Sequence, residues 1–165
     1  MPPGYRASSS NNARLIQQGR RFRGGPHPEP DASHGSSIPP AGPLEGEPQA
    51  ADWRGHPWST WVPLAQMARW CPSRGSGFYR IRGGDPRTLL YVGQGLIPDR
   101  PLAHLAKTRL SDHGQGRIFA AEARLECSWV VHAAWLAYQR LELENDLIAA
   151  HILVTGKVPA AQFLG

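Results

Sequence analysis

Two tyrosines stand in neighbouring β-like runs of the segment "GFYRIRGGDPRTLLYVGQG", which covers residues 77–95. If the intervening turn is symmetric about Asp85, Tyr79 faces Tyr91 across the strands and both hydroxyls lie on one face of a sheet. Such a pair is either a buried aromatic contact of the core or two hydroxyl groups of an active site. The glycines beside both tyrosines favour a site slightly, because a missing side chain lets a ligand approach closely.

A cationic and a titratable side chain follow shortly after this hairpin. Arg100 and His104 are spaced i, i+4 in a stretch, residues 99–110, that predicts a helix, so both project from one helical face. Arginine offers a planar fork for a phosphate, and histidine carries or relays a proton near neutral pH. The alternative is an ordinary solvated polar face. His113, in a predicted loop with the sequence "SDHGQGR", is a weaker candidate for the same group.

One carboxylate lies where a helix should be apolar. The run "AAWLAYQRLELENDLIAAHILVTG" predicts a long helix that ends at Gly156, and on a helical wheel Glu144 falls near the middle of its apolar stripe. A carboxylate in a buried stripe is unfavourable unless it is paired, hydrogen-bonded or bound to a metal ion. Either Glu144 forms an ion pair with Arg140, one turn earlier, or it is a functional acid.

The elements that position these residues come from one modest domain of a 165-residue chain. Residues 1–50 are rich in Pro, Gly and Ser and predict a disordered segment. Residues 51–76 hold four tryptophans and predict a packing segment with a short helix; base stacking is the alternative role for these rings. Residues 77–165 predict an α/β (α+β) fold, a small three-stranded antiparallel sheet flanked by helices in the order ββαβα.

Composition restricts the classes of function. A net charge of +5 favours polyanionic partners without indicating any chemistry on them. The two cysteines are far apart and outside any CxxC pattern, so neither a zinc site nor a disulfide framework is expected. No apolar run approaches the roughly 18 residues of a membrane span. We therefore expect a soluble, cytoplasmic protein with no membrane partner.

Taken together, these residues resemble the GIY-YIG endonucleases over about residues 77–162. The motifs that carry the resemblance are "GFY" at 77–79, "YVG" at 91–93, "RPLAH" at 100–104, "LENDLI" at 143–148 and "PAAQ" at 159–162. They are similar to the two motifs that name the family, to its Arg-x-x-x-His, to the segment around its metal-binding glutamate and to its Pro-x-x-Asn. Five motifs in the family's order make the resemblance specific.

The resemblance implies a metal-dependent endonuclease that hydrolyses phosphodiester bonds of DNA. One divalent ion, Mg²⁺ or Mn²⁺, would be held by Glu144, and Arg100 would neutralise the non-bridging oxygens of the transition state. Tyr79 would help to deprotonate the attacking water, directly or through His104. Tyr91 would orient the water or a phosphate oxygen.

Six further residues complete the expected site. Gly93, His113 and Gln162 would support it, and three basic residues would hold flanking phosphates without reading sequence: Lys107, Arg109 and Arg117. The alternative function is a catalytically inactive nucleic-acid-binding or structural domain of the same fold. In the structural case the tyrosines belong to the core and Glu144 is paired.

Overall fold

The computed structural model describes residues 44–110 and 112–164, and an antiparallel sheet lies at their centre. The strands in this part of the chain are β1 (Val62–Pro63), β2 (Gly75–Arg82), β3 (Tyr91–Ile97) and β4 (Glu126–Val131), in the spatial order β1-β4-β2-β3. The mixed α/β class and the antiparallel pairing are confirmed, whereas the expected number of three strands is wrong. The two residues of β1 are too few to show an alternating pattern, and they join the sheet by pairing with Cys127 and Glu126.

Helices pack on both faces of the sheet. Those in the described residues are α1 (Met67–Trp70), α2 (Asp99–Lys107), α3 (Gly114–Ala120) and α4 (Ala137–Thr155), with short 3-10 turns at Trp53–Gly55 and Leu64–Gln66. α4 ends at Gly156 as predicted, because the φ of 75° at this C-cap is a conformation that glycine adopts without strain. Within the described ranges, no helix has the length and apolar character needed to cross a membrane.

The segment "SDHGQGR", predicted to be a loop, instead contains the start of α3. The imidazole of His113 caps this helix by accepting a hydrogen bond from the backbone N–H of Gly116 at 3.4 Å. Gly116 is buried, and a Cβ on it would lie 2.1 Å from the carbonyl oxygen of Lys107. The absence of a side chain at Gly116 therefore allows α3 to pack closely against the end of α2.

The hairpin of β2 and β3 has a different register from the predicted one. Tyr79 is opposite Gly93 and Ile81 is opposite Tyr91, so the two tyrosines are diagonal neighbours rather than a direct pair. The turn is centred one residue beyond Asp85, whose carboxylate accepts a hydrogen bond from the backbone N–H of Arg87 at 2.9 Å. Because this displaces the pairing by two residues, both tyrosines keep the same face, and their rings stack with centroids 5.9 Å apart.

The sheet separates two apolar clusters. On the tyrosine face, Tyr79 and Tyr91 pack among side chains that include Phe119 of α3, with Leu102 and Leu105 of α2 at the margin. The opposite face is covered by α4: its buried residues Leu143, Leu147 and Ile148 cluster with Phe78, Val92 and Val130 of the three long strands. The helices that carry the candidate site residues thus approach the sheet from both sides.

A buried arginine occupies the α4 face and explains the tryptophans. The guanidinium of Arg80 lies 4.3 Å from the ring centre of Trp58 and 4.7 Å from that of Trp61. It also donates hydrogen bonds to the Pro48 carbonyl at 2.5 Å and to the Ser128 hydroxyl at 3.3 Å. Burial lowers the pKa of Arg80 to about 9. The rings of Trp58 and Trp61 therefore pack against a cation of the protein itself.

The predicted disordered segment falls mostly outside the described residues, which begin at residue 44. Residues 44–50 contact the domain, since Pro48 accepts the bond from Arg80 and the carbonyl of Gln49 accepts one from the Trp61 indole at 3.3 Å. Of the four tryptophans, Trp70 differs from the rest because 56% of its surface is exposed.

Gly93→Ala is expected to displace the tyrosine pair. A Cβ at residue 93 would lie 2.6 Å from both Cζ and the hydroxyl oxygen of Tyr79 and 2.7 Å from Cε1 of Tyr91. We expect the variant to lose about 1–3 kcal/mol of unfolding free energy and to change the near-UV circular dichroism of the tyrosines. Gly84→Ala is the matched control, because its Cβ would make only an ordinary contact at 3.7 Å. Equal behaviour of the two variants would contradict the register.

Candidate active site

Tyr79 and His104 form the innermost contact of the site. Tyr79 lies in the middle of β2 with no exposed surface, and its hydroxyl shares a hydrogen bond of 2.8 Å with Nε2 of His104. Measured between ring centroids, Tyr91 is nearer to the imidazole than Tyr79 is, at 4.6 Å. α2 therefore presents His104 to both tyrosines at once, and Arg100, one turn earlier, comes to lie beside β3.

The side chain of Arg100 packs against the edge strand β3 at Gly95, where the absence of a side chain leaves room for it. A Cβ on Gly95, whose φ is 145°, would lie 3.0 Å from Cγ of Arg100, so the stem of the arginine rests on bare backbone. The charge of Arg100 lowers the pKa of three groups: Tyr79, Tyr91 and Glu144. The guanidinium is thus near enough to all three to stabilise their anionic forms.

Glu144 joins the site from α4. Only 2% of its surface is exposed, and its Oε2 atom has no hydrogen-bond partner. Burial raises the pKa of Glu144 to about 8, and Arg100 acts in the opposite direction. The alternative partner, Arg140, donates instead to the carbonyl of Trp135 and to the side-chain oxygen of Gln94 at 3.4 Å. Across the described residues, no ion pair joins Arg140 to Glu144.

Burial keeps the central groups neutral near pH 7. It raises the pKa of Tyr79 far above 10 and that of Tyr91 to about 12, and the nearby charge of Glu144 raises both further. It lowers the pKa of His104 to about 2, helped by the positive charges of Lys107 and Arg100. A proton leaves Tyr79 only when added positive charge outweighs this desolvation.

Three supporting residues have separate positions. Gln162 is buried, and its side-chain oxygen accepts a hydrogen bond of 3.1 Å from the backbone N–H of Val92, next to Tyr91. Gly93 lies under the tyrosine rings. His113 is occupied as the cap of α3.

The three expected phosphate contacts are not alike. Arg109 and Arg117 are exposed, whereas Lys107 is half-buried and donates a hydrogen bond of 2.6 Å to the side-chain oxygen of Gln115. Gln115 is a buried residue of α3 that sequence reasoning missed. No local sequence pattern marks it, because the segment "SDHGQGR" predicts a loop.

The donor set fits a single hard cation. The part of the chain that the structure describes has no group of three or more His, Cys, Asp and Glu side chains that could hold a metal. Among the residues that the structure describes, Glu144 alone offers a buried carboxylate oxygen without a partner, and Mg²⁺ is commonly held by one or two carboxylates with water filling its other positions. The unpaired Oε2 atom is the feature that such an ion would satisfy.

Glu144→Gln is expected to stabilise the metal-free protein at high pH. The pKa of Glu144 is 4.5 in its ordinary state and about 8 when folded, so the folded protein holds this proton more tightly than the unfolded chain does. The stability linked to it is fully present below pH 4.5 and is lost as the pH rises towards 8, by up to about 1.4 kcal/mol per pH unit.

In urea unfolding, the variant should therefore be more stable than the wild type at pH 8, with a smaller advantage at pH 5. Glu142→Gln, at an exposed position of the same helix, is the control and should show no such trend. If Glu144 were in a structural ion pair, Glu144→Gln would instead destabilise the protein at neutral pH.

Comparisons with models of known families, with curated proteins and with solved structures found no match to this chain. Support for a function therefore comes from the motif residues and from the geometry that brings them together.

Proposed function

We propose that residues 77–165 form a GIY-YIG-like nuclease domain that hydrolyses phosphodiester bonds of DNA with one divalent cation, Mg²⁺ or Mn²⁺. The observation that carries the proposal is Glu144, a buried carboxylate without a partner at Oε2, placed within the electrostatic reach of Arg100 and both tyrosines. A buried carboxylate oxygen rarely lacks a hydrogen-bond partner unless something binds to it.

Each side chain has a role that its environment supports. When bound at Glu144, the cation supplies positive charge to the phosphoryl and leaving oxygens. Arg100 neutralises the non-bridging oxygens with a guanidinium that stays charged. Tyr79 takes a proton from the attacking water and passes its own proton to Nε2 of His104, which is neutral beforehand and hydrogen-bonded to the Tyr79 hydroxyl at 2.8 Å.

The basic surface supports DNA as the substrate. The chain has a net charge of +5, and Arg109 and Arg117 are exposed on or beside the helices that flank His104. Contacts from such residues to phosphates give affinity that falls with salt and does not depend on base sequence. We propose a cytoplasmic nuclease that holds the DNA backbone in this way.

A second candidate is a catalytically inactive nucleic-acid-binding domain of the same fold. It is favoured by the closure of the site: Tyr79, His104 and Glu144 are all at most 2% exposed, so almost none of their surface is open to a phosphate. The two functions differ in whether the bound backbone is cut.

Nicking of supercoiled plasmid distinguishes these functions. With Mg²⁺ the wild type should nick the plasmid, and Glu144→Gln and Arg100→Met should each slow nicking by about 100- to 1,000-fold. Glu142→Gln and Arg69→Met, which change the same charges at exposed positions outside the site, should retain the wild-type rate. DNA binding by the wild type without any nicking would favour the inactive domain.

Added Mg²⁺ should raise the melting temperature of the wild type at pH 8. Binding to the folded state alone stabilises it, and the carboxyl group of Glu144 must lose its proton first, so the shift should be smaller at pH 6. Differential scanning fluorimetry measures this without DNA. Glu144→Gln should show no shift, and an equal shift in both proteins would place the ion elsewhere.

A further inference from the structure

Phe163 combines a strained backbone with an exposed aromatic ring. Its φ of 63° lies in the left-handed region, where the Cβ of a bulky side chain crowds the backbone and which glycine adopts freely. The side chain is 62% exposed, more than any other Phe, Tyr or Trp in the described residues, so packing of the ring offsets little of this strain. Contacts on either side of Phe163 must therefore hold the conformation.

The two residues before Phe163 are fixed to the edge strand β3. The N–H of Ala161 donates to the carbonyl of Leu90 at 2.8 Å, and the side-chain oxygen of Gln162 accepts from the N–H of Val92 at 3.1 Å. These partners are the residues immediately before and after the tyrosine that begins β3. The chain that leads into Phe163 is thus anchored directly beside the candidate site.

The residue after Phe163 is fixed to the start of α3. The carbonyl of Leu164 accepts a hydrogen bond of 3.0 Å from the N–H of Gln115, and a Cβ on Gly114 would lie 3.2 Å from Cβ of Leu164. The left-handed turn at Phe163 therefore joins the edge of β3 to the first turn of α3, and it leaves the ring at the surface between these two elements.

Two leucines accompany the ring and form with it an apolar rim (Leu110, Phe163 and Leu164). Leu110 is 53% exposed and Leu164 is 43% exposed. The carbonyl of Leu110 accepts a hydrogen bond of 3.2 Å from the N–H of the residue that caps α3, so the rim lies around the start of that helix. Exposed cations are close in the chain, since Arg109 precedes Leu110 and Arg117 follows in α3. An aromatic ring beside cations suits the bases and phosphates of a nucleic acid.

We infer that Phe163 stacks on an unpaired base next to the cleaved phosphate, and that the preferred substrate is duplex DNA that contains such a base. The inference rests on the proposed function, in which Arg100 and the tyrosines hold the phosphate. Stacking on an aromatic ring is open to every base, and a base that is already unpaired leaves its neighbours with the smallest loss of stacking energy. The strained backbone holds the ring in place before DNA arrives.

The charges favour DNA over a second copy of the chain as the occupant of the rim. With a net charge of +5, two copies repel each other, whereas the cations near the rim attract phosphates. Because Phe163 is anchored beside the candidate site, a nucleotide adjacent to the cleaved phosphate lies within reach of its ring.

Two substitutions at Phe163 test the strain without DNA. Phe163→Gly removes both the ring and the strained Cβ, whereas Phe163→Ala removes the ring and keeps the Cβ. In differential scanning fluorimetry, Phe163→Gly should therefore melt about 2–5 °C higher than Phe163→Ala. An equal or lower melting temperature for Phe163→Gly would overturn the inference, because the left-handed backbone would then store no strain that a function must explain.

Cleavage of two duplexes tests the preference for an unpaired base. The duplexes have the same sequence, except that one strand of the second carries one extra, unpaired base. With Mg²⁺ the wild type should cut the second duplex about 10-fold faster, and Phe163→Gly and Phe163→Ala should each lose that preference. Phe163→Trp should keep it, because stacking needs only an aromatic ring. Trp70→Ala is the control, since it removes a ring of α1 that is 56% exposed, and it should leave the preference unchanged.

Photo-cross-linking locates the base directly. The unpaired base is replaced by 5-iodouracil, and the protein carries Glu144→Gln so that the DNA stays intact. Irradiation should join the base to Phe163, which mass spectrometry of the tryptic peptides would show.

The outcomes separate the inference from the proposed function. If the wild type cuts neither duplex, the proposed function fails, while the cross-link still decides whether Phe163 stacks on a base. If the wild type cuts DNA but Phe163→Gly shows the same preference, or the cross-link lies elsewhere, only the inference fails. Self-association that Phe163→Gly abolishes, with unchanged cleavage, would also overturn the inference and assign the rim to contact between two copies.

Discussion

A carboxyl group held away from water without a hydrogen-bond partner is the constraint on which the candidate site depends. Removing Glu144 from solvent is unfavourable for its ionised form, and the protein offsets this with the charge of Arg100 alone among the groups that act on it. The same burial keeps Tyr79, Tyr91 and His104 neutral. Each of these groups is therefore expected to change its protonation state only when charge is added nearby.

The two faces of the sheet show two ways of keeping a cation near a core. On the α4 face, Arg80 is enclosed by tryptophan rings and satisfied by the Pro48 carbonyl and the Ser128 hydroxyl, so its charge is already committed to the fold. On the tyrosine face, the field of Arg100 acts on the ionisable groups of the site. The strands of the sheet lie between these two guanidinium groups.

Much of this arrangement could be predicted from the sequence. The position of Glu144 in an apolar stripe, the i, i+4 spacing of Arg100 and His104, and Gly156 as a helix end are local patterns that the structure retains. The shared face of Tyr79 and Tyr91 was also correct despite a wrong register, because a shift of two residues preserves strand faces.

What could not be predicted depends on contacts distant in the chain. β1 exists as a strand only because β4 pairs with it, and α3 includes Gly116 because a side chain there would collide with the end of α2. The burial of Gln115 follows from that helix, and with it the occupied state of Lys107. Composition alone does not distinguish a lysine whose ammonium group is solvated from one whose ammonium group is hydrogen-bonded to an amide.

During synthesis, the hydrogen bond between Gln162 and β3 can form only late. This bond to Val92 joins residues 70 apart in the chain, and the N–H of Ala161 adds a second bond of 2.8 Å to the carbonyl of Leu90 beside the same strand. On a ribosome, the tyrosine hairpin emerges long before these partners do. A nascent chain therefore carries the start of β3 uncovered, able to pair with foreign strands, until residue 162 has left the exit tunnel.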